Sequence, residues 1–228
     1  MHRSTDAERT ELIAKHIGSK SYELEILGYL SSIQPLSPHI IHPVDTVPSN
    51  TGKWVIFPKM RDIRSVCCDN PLPCGRLAQF ARDLIDGLAY LHDNGIAHLD
   101  IKPENLLCTN DFRLRIIDFD SAVRVDSEDS LIVGVHGTEG WMAPEVRDRA
   151  PFSPIRADKW TCGKMLLWFL EKRAMKNEDL VSFAKRLMDY NPCRRPSLVE
   201  WSAGLDKTHY NTGLNHPTKR RKVDDRVR

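Results

Sequence analysis

A chain of 228 residues is long enough for one domain of two lobes, with about 70% of its unfolded surface buried. A hydrophobic fraction of 41% and a charged fraction of 28% exclude a disordered or fibrous chain, and a formal net charge of +2 gives no global pull towards nucleic acid or an anionic membrane. The longest strong apolar run, Met165 to Leu170, is too short to span a bilayer, and the charged N-terminus lacks the apolar core of a signal peptide, so no membrane partner and an intracellular location, cytoplasm or nucleus, are expected.

Leu12-Ile13-Ala14 opens the first apolar patch, and Glu23-Leu24-Glu25-Ile26-Leu27-Gly28-Tyr29-Leu30 follows with helical spacing. Gln34 to Pro48, rich in proline and histidine, reads as loop with short extended pieces. Trp54-Val55-Ile56-Phe57 reads as a buried strand halted by Pro58. Cys67 to Gly75, with Pro71 and Pro73, reads as a connector. Its cysteines, with Cys108, Cys162 and Cys193, lack CxxC pairing; free thiols in a reducing compartment are expected, with a metal at Cys67, Cys68 and Cys74 as the alternative.

Leu77, Phe80, Leu84, Leu88 and Leu91 recur at three- and four-residue steps, which predicts a core helix, and Gly95 sits where its C-terminal cap belongs. Leu106-Leu107, a polar turn near Asp111, and Leu114 to Phe119 predict a hairpin. Its midpoint near residue 111 leaves Asn105 and Asp118 almost equidistant from the turn and side by side at the open end, two oxygen ligands suited to a hard cation such as magnesium. Asp100, a few residues earlier, faces the same space. Lys159 to Leu170 is apolar on nearly every side and predicts a central buried helix. Leu180, Phe183, Ala184 and Leu187 form a further helical stripe, and Ser197-Leu198-Val199-Glu200 fits a capping box opening a last helix through Trp201. Past Asp206 the chain turns polar, and residues 207–228 are expected to be a disordered basic tail.

His98-Leu99-Asp100-Ile101-Lys102-Pro103-Glu104-Asn105 resembles the catalytic loop of the eukaryotic protein kinase family, and Ile117-Asp118-Phe119-Asp120 its metal-binding motif. Gly137-Thr138-Glu139-Gly140-Trp141-Met142-Ala143-Pro144-Glu145 resembles the end of an activation segment. Asp158-Lys159-Trp160-Thr161-Cys162-Gly163 is similar to the start of the family's buried helix, and Asn191-Pro192-Cys193-Arg194-Arg195-Pro196 to its late arginine loop. Five motifs in family order across residues 76–200 make the resemblance specific.

That resemblance implies a protein serine/threonine kinase with an α+β, two-lobed fold, using ATP and Mg2+ on a protein substrate. A reduced small lobe would cover residues 12–60, after a tail at 1–11, and a mainly helical large lobe residues 61–206. Asp100 would accept the substrate hydroxyl's proton, Lys102 would face the moving phosphoryl group, and Thr138 would brace both. Asn105 and Asp118 would hold magnesium. Leu12-Ile13-Ala14-Lys15 resembles the strand carrying the ATP-binding lysine, so Lys15 would contact the phosphates with Glu23 as its ion-pair partner. Glu145 and Arg195 would form a structural pair, and Asp158 would tie the buried helix to the catalytic loop. Phe57 would gate the back of the adenine pocket, with Pro58 to Met60 as hinge.

Several positions depart from the family pattern. No GxGxxG occurs, and the first glycine is Gly18, so a truncated small lobe is expected. Leu99 stands where the family has the arginine that pairs with a phosphorylated activation loop, and Asp120 where it has a flexible glycine. Little room remains before Leu180 for a substrate-docking helix. These departures leave a pseudokinase or kinase fragment acting as a binding module as the alternative function. Pro217 to Val223, with four consecutive basic residues, resembles a nuclear import signal or is a solvated terminus. Without aromatics among its bases, no nucleic-acid partner is expected.

Overall fold

The computed structural model describes residues 11–68, 75–172 and 177–201. Three antiparallel strands and a helix open it: β1 (Leu12–Gly18), α1 (Tyr22–Ser32), β2 (Asp45–Ser49) and β3 (Gly52–Pro58), the strands in the order β1-β3-β2. Lys15 lies opposite Val55 and Ile13 opposite Phe57. Side chains alternate across a strand, so Ile13, Lys15 and Ile17 share a face with Val55 and Phe57. Pro58 does not halt the strand before it. It is the last residue of β3, paired with Leu12 at the sheet end, where a missing N–H costs no ladder bond.

The next elements are short: β4 (Arg61–Asp62) and α2 (Ile63–Cys68). The connector expected from Cys67 therefore begins as the end of a helix, with Ile63 and Val66 fully buried on one side of it. Six residues carry too few repeats for a 3.6-residue period to stand out. Residues 69–74 of the expected connector, Cys74 included, lie outside the described residues. The cysteines at 67, 108 and 162 are buried, while Cys193 is exposed; burial pushes the Cys108 thiol up to about 11.

The core helix α3 spans Arg76–Asp93 and buries Leu77, Phe80, Leu84, Leu88 and Leu91, the stripe read from the sequence. β5 (Ile96–Ala97) leads into the His98–Asn105 loop, and β6 (Leu106–Cys108) and β7 (Leu114–Ile116) form the expected hairpin. β8 (Val123–Arg124) pairs with β5, and β4 pairs with β6. α4 (Pro144–Arg147) is a single turn. α5 (Pro154–Lys172) is the central helix, beginning five residues earlier than the apolar run indicates, at a proline placed where a first helical turn accepts it. α6 (Glu178–Leu187) packs along α5, with Asn177 capping its start through a 2.9 Å bond from the Leu180 N–H. Gly163 makes the α5–α6 approach possible: a Cβ there would stand 2.6 Å from the Ala184 carbonyl.

Only residues 173–177 separate α5 from α6, as the short spacing suggested. The box at Ser197 is half formed. Its hydroxyl accepts from the Val199 N–H at 3.3 Å, but the Glu200 carboxylate pairs with Arg186 at 2.7 Å. The tail and the import-type stretch at 217–223 lie outside the described residues. One apolar core runs from α1 and the small sheet through α3 and the hairpin to α5 and α6, and a second cluster gathers Leu99, Ala143, Val146, Phe152 and Ile155. The site lies where the first core opens between the small sheet and the hairpin.

Candidate active site

Three structural ties hold the catalytic-type loop in place. Asp158, fully buried on α5, accepts from the backbone N–H groups of His98 and Leu99, each at 2.7 Å, and meets His92 Nε2 at 3.1 Å. His98, itself fully buried, reaches the Ile117 carbonyl through Nε2 at 3.0 Å and packs its ring 5.1 Å from that of Phe119. The loop is thus fastened both to the helix beneath it and to the strand that leads to Asp118. Leu99 adopts φ 64°, a left-handed backbone that costs a non-glycine residue about 1–2 kcal/mol. The two hydrogen bonds that the buried Asp158 accepts from the His98 and Leu99 N–H groups offset that strain. The side chain of Leu99 enters the second apolar cluster, so apolar packing occupies the place where the resemblance puts an arginine.

Within the loop, four side chains close into one network. Lys102 Nζ donates to Asp100 Oδ2 at 2.7 Å and to Thr138 Oγ1 at 2.5 Å, and Thr138 Oγ1 donates to Asp100 Oδ1 at 2.8 Å. Asn105 Nδ2 donates to the Asp100 carbonyl at 2.8 Å and to Oδ2 at 3.0 Å. Gly137 lets Thr138 come this close: its φ is 87°, and a Cβ there would stand 2.3 Å from the Leu99 carbonyl. Both oxygens of Asp100 are held by donors, which pins the carboxylate's orientation.

The hairpin register is centred on residue 111, as the spacing in the sequence indicates. Leu106 pairs with Ile116 and Cys108 with Leu114, so Asn105 lies opposite Ile117, whose N–H donates to its carbonyl at 3.0 Å. Asp118 is one residue beyond the pair. There the backbone turns to φ 67°, a conformation that aspartate tolerates better than most residues. Asp118 and Asn105 still line one cavity. The sequence reading missed what holds this hairpin against α3. Fully buried Asp83 accepts from Arg113 at 2.9 and 3.1 Å, from the Leu114 N–H at 2.9 Å and from Gln79 at 2.8 Å. An aspartate embedded in the apolar stripe of α3 was the available signal.

From the small sheet, Lys15 Nζ meets Glu23 at 2.8 Å and Asp118 at 2.7 Å. Ser21 makes this possible by capping α1: its Oγ accepts from the Glu23 N–H at 3.1 Å, fixing the first turn so that Glu23 points at β1. The two ends of the pair are perturbed for different reasons. Burial draws the Lys15 ammonium down, but hydrogen bonds to Asp118 and Glu23 more than offset this and hold it above the usual lysine range. For Glu23 burial dominates and pushes its carboxyl up, with Lys15 opposing. Lys15 is therefore held as a cation by two carboxylates.

These groups surround a cavity of about 340 Å3. Ile13, Leu27, Ile41, Phe57, Leu107 and Ile117 supply apolar walls; Lys15, Glu23, Asn105 and Asp118 supply one polar end. Such a cavity accepts a flat apolar ring at one side and an anion with a hard cation at the other. Among the sequence candidates, Asp100, Lys102, Asn105 and Thr138 form one network, Lys15, Glu23 and Asp118 a second, and Asn105 and Asp118 face the shared cavity.

Farther out, Arg195 donates to Glu145 through two nitrogens at 2.5 and 2.9 Å, and to the carbonyls of Arg156 and Asp189 at 2.8 and 3.0 Å. The Arg195 side chain is fully buried. Arg195→Ala leaves the Glu145 carboxylate and two carbonyls without their donor, and is expected to cost about 3–5 kcal/mol, a fall of roughly 10 °C in Tm. Calorimetry checks this; a Tm within 2 °C of the parent, on the order of 1 kcal/mol or less, would show that the pair is not structural.

A small antiparallel sheet with one helix, set over a helical body and a cleft lined by these two networks, is the protein kinase fold. Residues 9–189 match the family model of the protein kinase domain, and the chain belongs to that family. It is 31% identical over 135 residues to serine/threonine-protein kinase shk1/pak1 of Schizosaccharomyces pombe, covering 58% of this chain and 20% of that protein. Serine/threonine-protein kinase GIN4 of Saccharomyces cerevisiae is 29% identical over 145 residues, 62% of this chain and 13% of its own length. CBL-interacting serine/threonine-protein kinase 18 of Arabidopsis thaliana is 26% identical over 190 residues, 72% of this chain and 36% of its own. The chain thus spans between 13% and 36% of the length of these relatives.

Proposed function

We propose that the chain is a serine/threonine protein kinase that transfers the γ-phosphoryl group of ATP, with magnesium, to a protein hydroxyl. The observation that carries this reading is the Asp100–Lys102–Thr138 triangle, with both Asp100 oxygens held by donors at 2.7–3.0 Å. Asp100 takes the proton of the acceptor hydroxyl as its oxygen bonds to the γ-phosphorus and the bond to the β-phosphate oxygen breaks. Lys102 faces the moving phosphoryl group, and Thr138 keeps both side chains aligned.

The polar end of the cavity fits the metal and the nucleotide. Asn105 and Asp118 offer hard oxygen ligands, and Lys15, held as a cation, faces the α and β phosphates with Glu23 behind it. Bound magnesium supplies charge neutralisation on the phosphates. Ile13, Leu107 and Phe57 leave an apolar slot for the adenine ring, with Phe57 at its back wall.

A second reading, a binding module of the same fold that holds nucleotide weakly or not at all, is favoured by one observation. Asp120 adds a carboxylate beside Asp118 at the polar end of the cavity. Two measurements on one purified sample separate the readings. Magnesium-ATP at a hundredfold excess over its Kd stabilises a binder by about 2.7 kcal/mol, a rise of roughly 5–10 °C in Tm. Labelled phosphate then passes to a generic basic protein. Absence of both shift and transfer supports the module and overturns the kinase reading; a shift without transfer refutes weak nucleotide binding and leaves a chain that binds nucleotide without catalysis. The cellular setting proposed with the activity is cytoplasm or nucleus, with residues 217–223 meeting an import receptor. Unchanged nuclear fluorescence of a tagged chain in which alanines replace residues 219–222 would refute the latter.

A further inference from the structure

The segment 126–136 carries the chain from the metal-binding motif to Thr138. It exposes Leu131, Val133 and Val135 at 63%, 70% and 52%, and a segment so poor in burial needs other anchors to stay ordered. It has them in the charge pairs at its start. Glu128 Oε1 accepts from Lys159 Nζ at 2.7 Å and from Arg156 Nε at 3.3 Å, and Arg156 also reaches Asp129 Oδ1 at 2.5 Å. Ser153 Oγ donates to the Glu128 carbonyl at 2.5 Å. Midway along the segment, Ile132 exchanges two backbone hydrogen bonds with Phe152, at 2.9 and 3.0 Å. At its far end the His136 ring lies 6.1 Å from that of Phe152.

Lys159 gives these contacts their weight. It sits on the buried helix α5, is 5% exposed, and adjoins Asp158, which holds the catalytic-type loop. An ammonium this deep is costly unless paired, and its partner comes from the segment, 31 residues earlier. The loop and the segment are therefore fastened at adjacent positions of one rigid helix. Ser127 and Ser130 close the turn around the pair: the Ser127 N–H donates to Ser130 Oγ at 3.1 Å, and the Ser130 N–H to the Ser127 carbonyl at 3.2 Å. Leu99, packed into its apolar cluster, offers no charge to an added phosphate.

We infer that Glu128 and Asp129, clamped by Lys159 and Arg156, form a built-in latch that orders segment 126–136 without phosphorylation, and that these four are positioning residues for the acceptor site beside Thr138. The ordering stands on the geometry alone; its consequence for the acceptor rests on the kinase reading.

Hydrogen exchange of the full-length, phosphatase-treated chain tests the latch without any need for activity. Segment 126–136 is protected in the parent. Glu128→Gln, a change on a half-exposed residue that leaves the core intact, raises exchange there by about tenfold, while the β6–β7 hairpin is unchanged. Lys159→Met raises it similarly, and the double variant adds little to either single change, as expected of one shared interaction. A parent segment that exchanges like free peptide, or unchanged protection in Glu128→Gln, overturns the latch. In transfer assays Glu128→Gln raises KM for an acceptor peptide several-fold with KM for ATP unmoved; a lowered kcat with both KM values intact overturns the positioning role. Absence of transfer by the parent counts against the kinase reading and leaves the exchange result to decide the latch.

Discussion

Asp100→Ala is expected to lower phosphate transfer by about a thousandfold, within the range supplied by a positioned general base, while magnesium-ATP still raises Tm as it does in the parent. The two effects separate because of where the bonds run. Asp100 touches Lys102, Asn105 and Thr138 but neither Lys15 nor Asp118, so the cavity's phosphate-facing side keeps its own pairs. Removing the carboxylate also strands three donors, at a cost of roughly 1–3 kcal/mol each where they stay dry, so Tm without ligand falls. Transfer is therefore compared well below that Tm. A variant that retains more than about a tenth of parental transfer would mean that Asp100 is a structural acceptor and not the base.

For Asp118→Asn the pattern reverses. Magnesium-ATP affinity is expected to drop by at least about a hundredfold, since even groups one shell out from a metal are worth roughly 10–100-fold. The Tm shift is then lost with it. Asparagine suits this test because it tolerates the left-handed backbone that Asp118 adopts at φ 67°. Alanine would add about 1–2 kcal/mol of strain and blur loss of ligand with loss of fold. The substitution also takes the negative charge from Lys15's 2.7 Å contact, leaving Glu23 as its partner. Titration calorimetry with magnesium-nucleotide gives the affinity directly. Undiminished binding would remove Asp118 from the metal site and, with it, the reason for pairing it with Asn105.

Several features of the site were legible because they are local. The stripe of α3 repeats over about four turns, and the hairpin announces itself by a polar turn between two short apolar runs. Asp100, Lys102 and Asn105 lie within six residues of one another, so one loop conformation brings them together. Lys15 and Glu23 were placed by resemblance, and a short turn capped by Ser21 joins them. Legibility ended where a partner lay far along the chain. Asp83 belongs to none of the sequence motifs, although it is the anchor of the hairpin, 30 residues away. Lys159 opens a run that is apolar on nearly every side, and nothing in that run shows that its charge clasps Glu128.

By itself the sequence determined the order of the motifs, the helices that bury long apolar stripes and the membership of the fold, because side-chain spacing within a turn or a strand is set by backbone geometry over a few residues. Tertiary structure alone decided which buried charges meet, that Leu99 fills an apolar cluster, and that the segment before Thr138 is clasped to α5. Those outcomes depend on burial, and whether a lysine or an aspartate is dry, and what then neutralises it, is settled only when distant elements close around it.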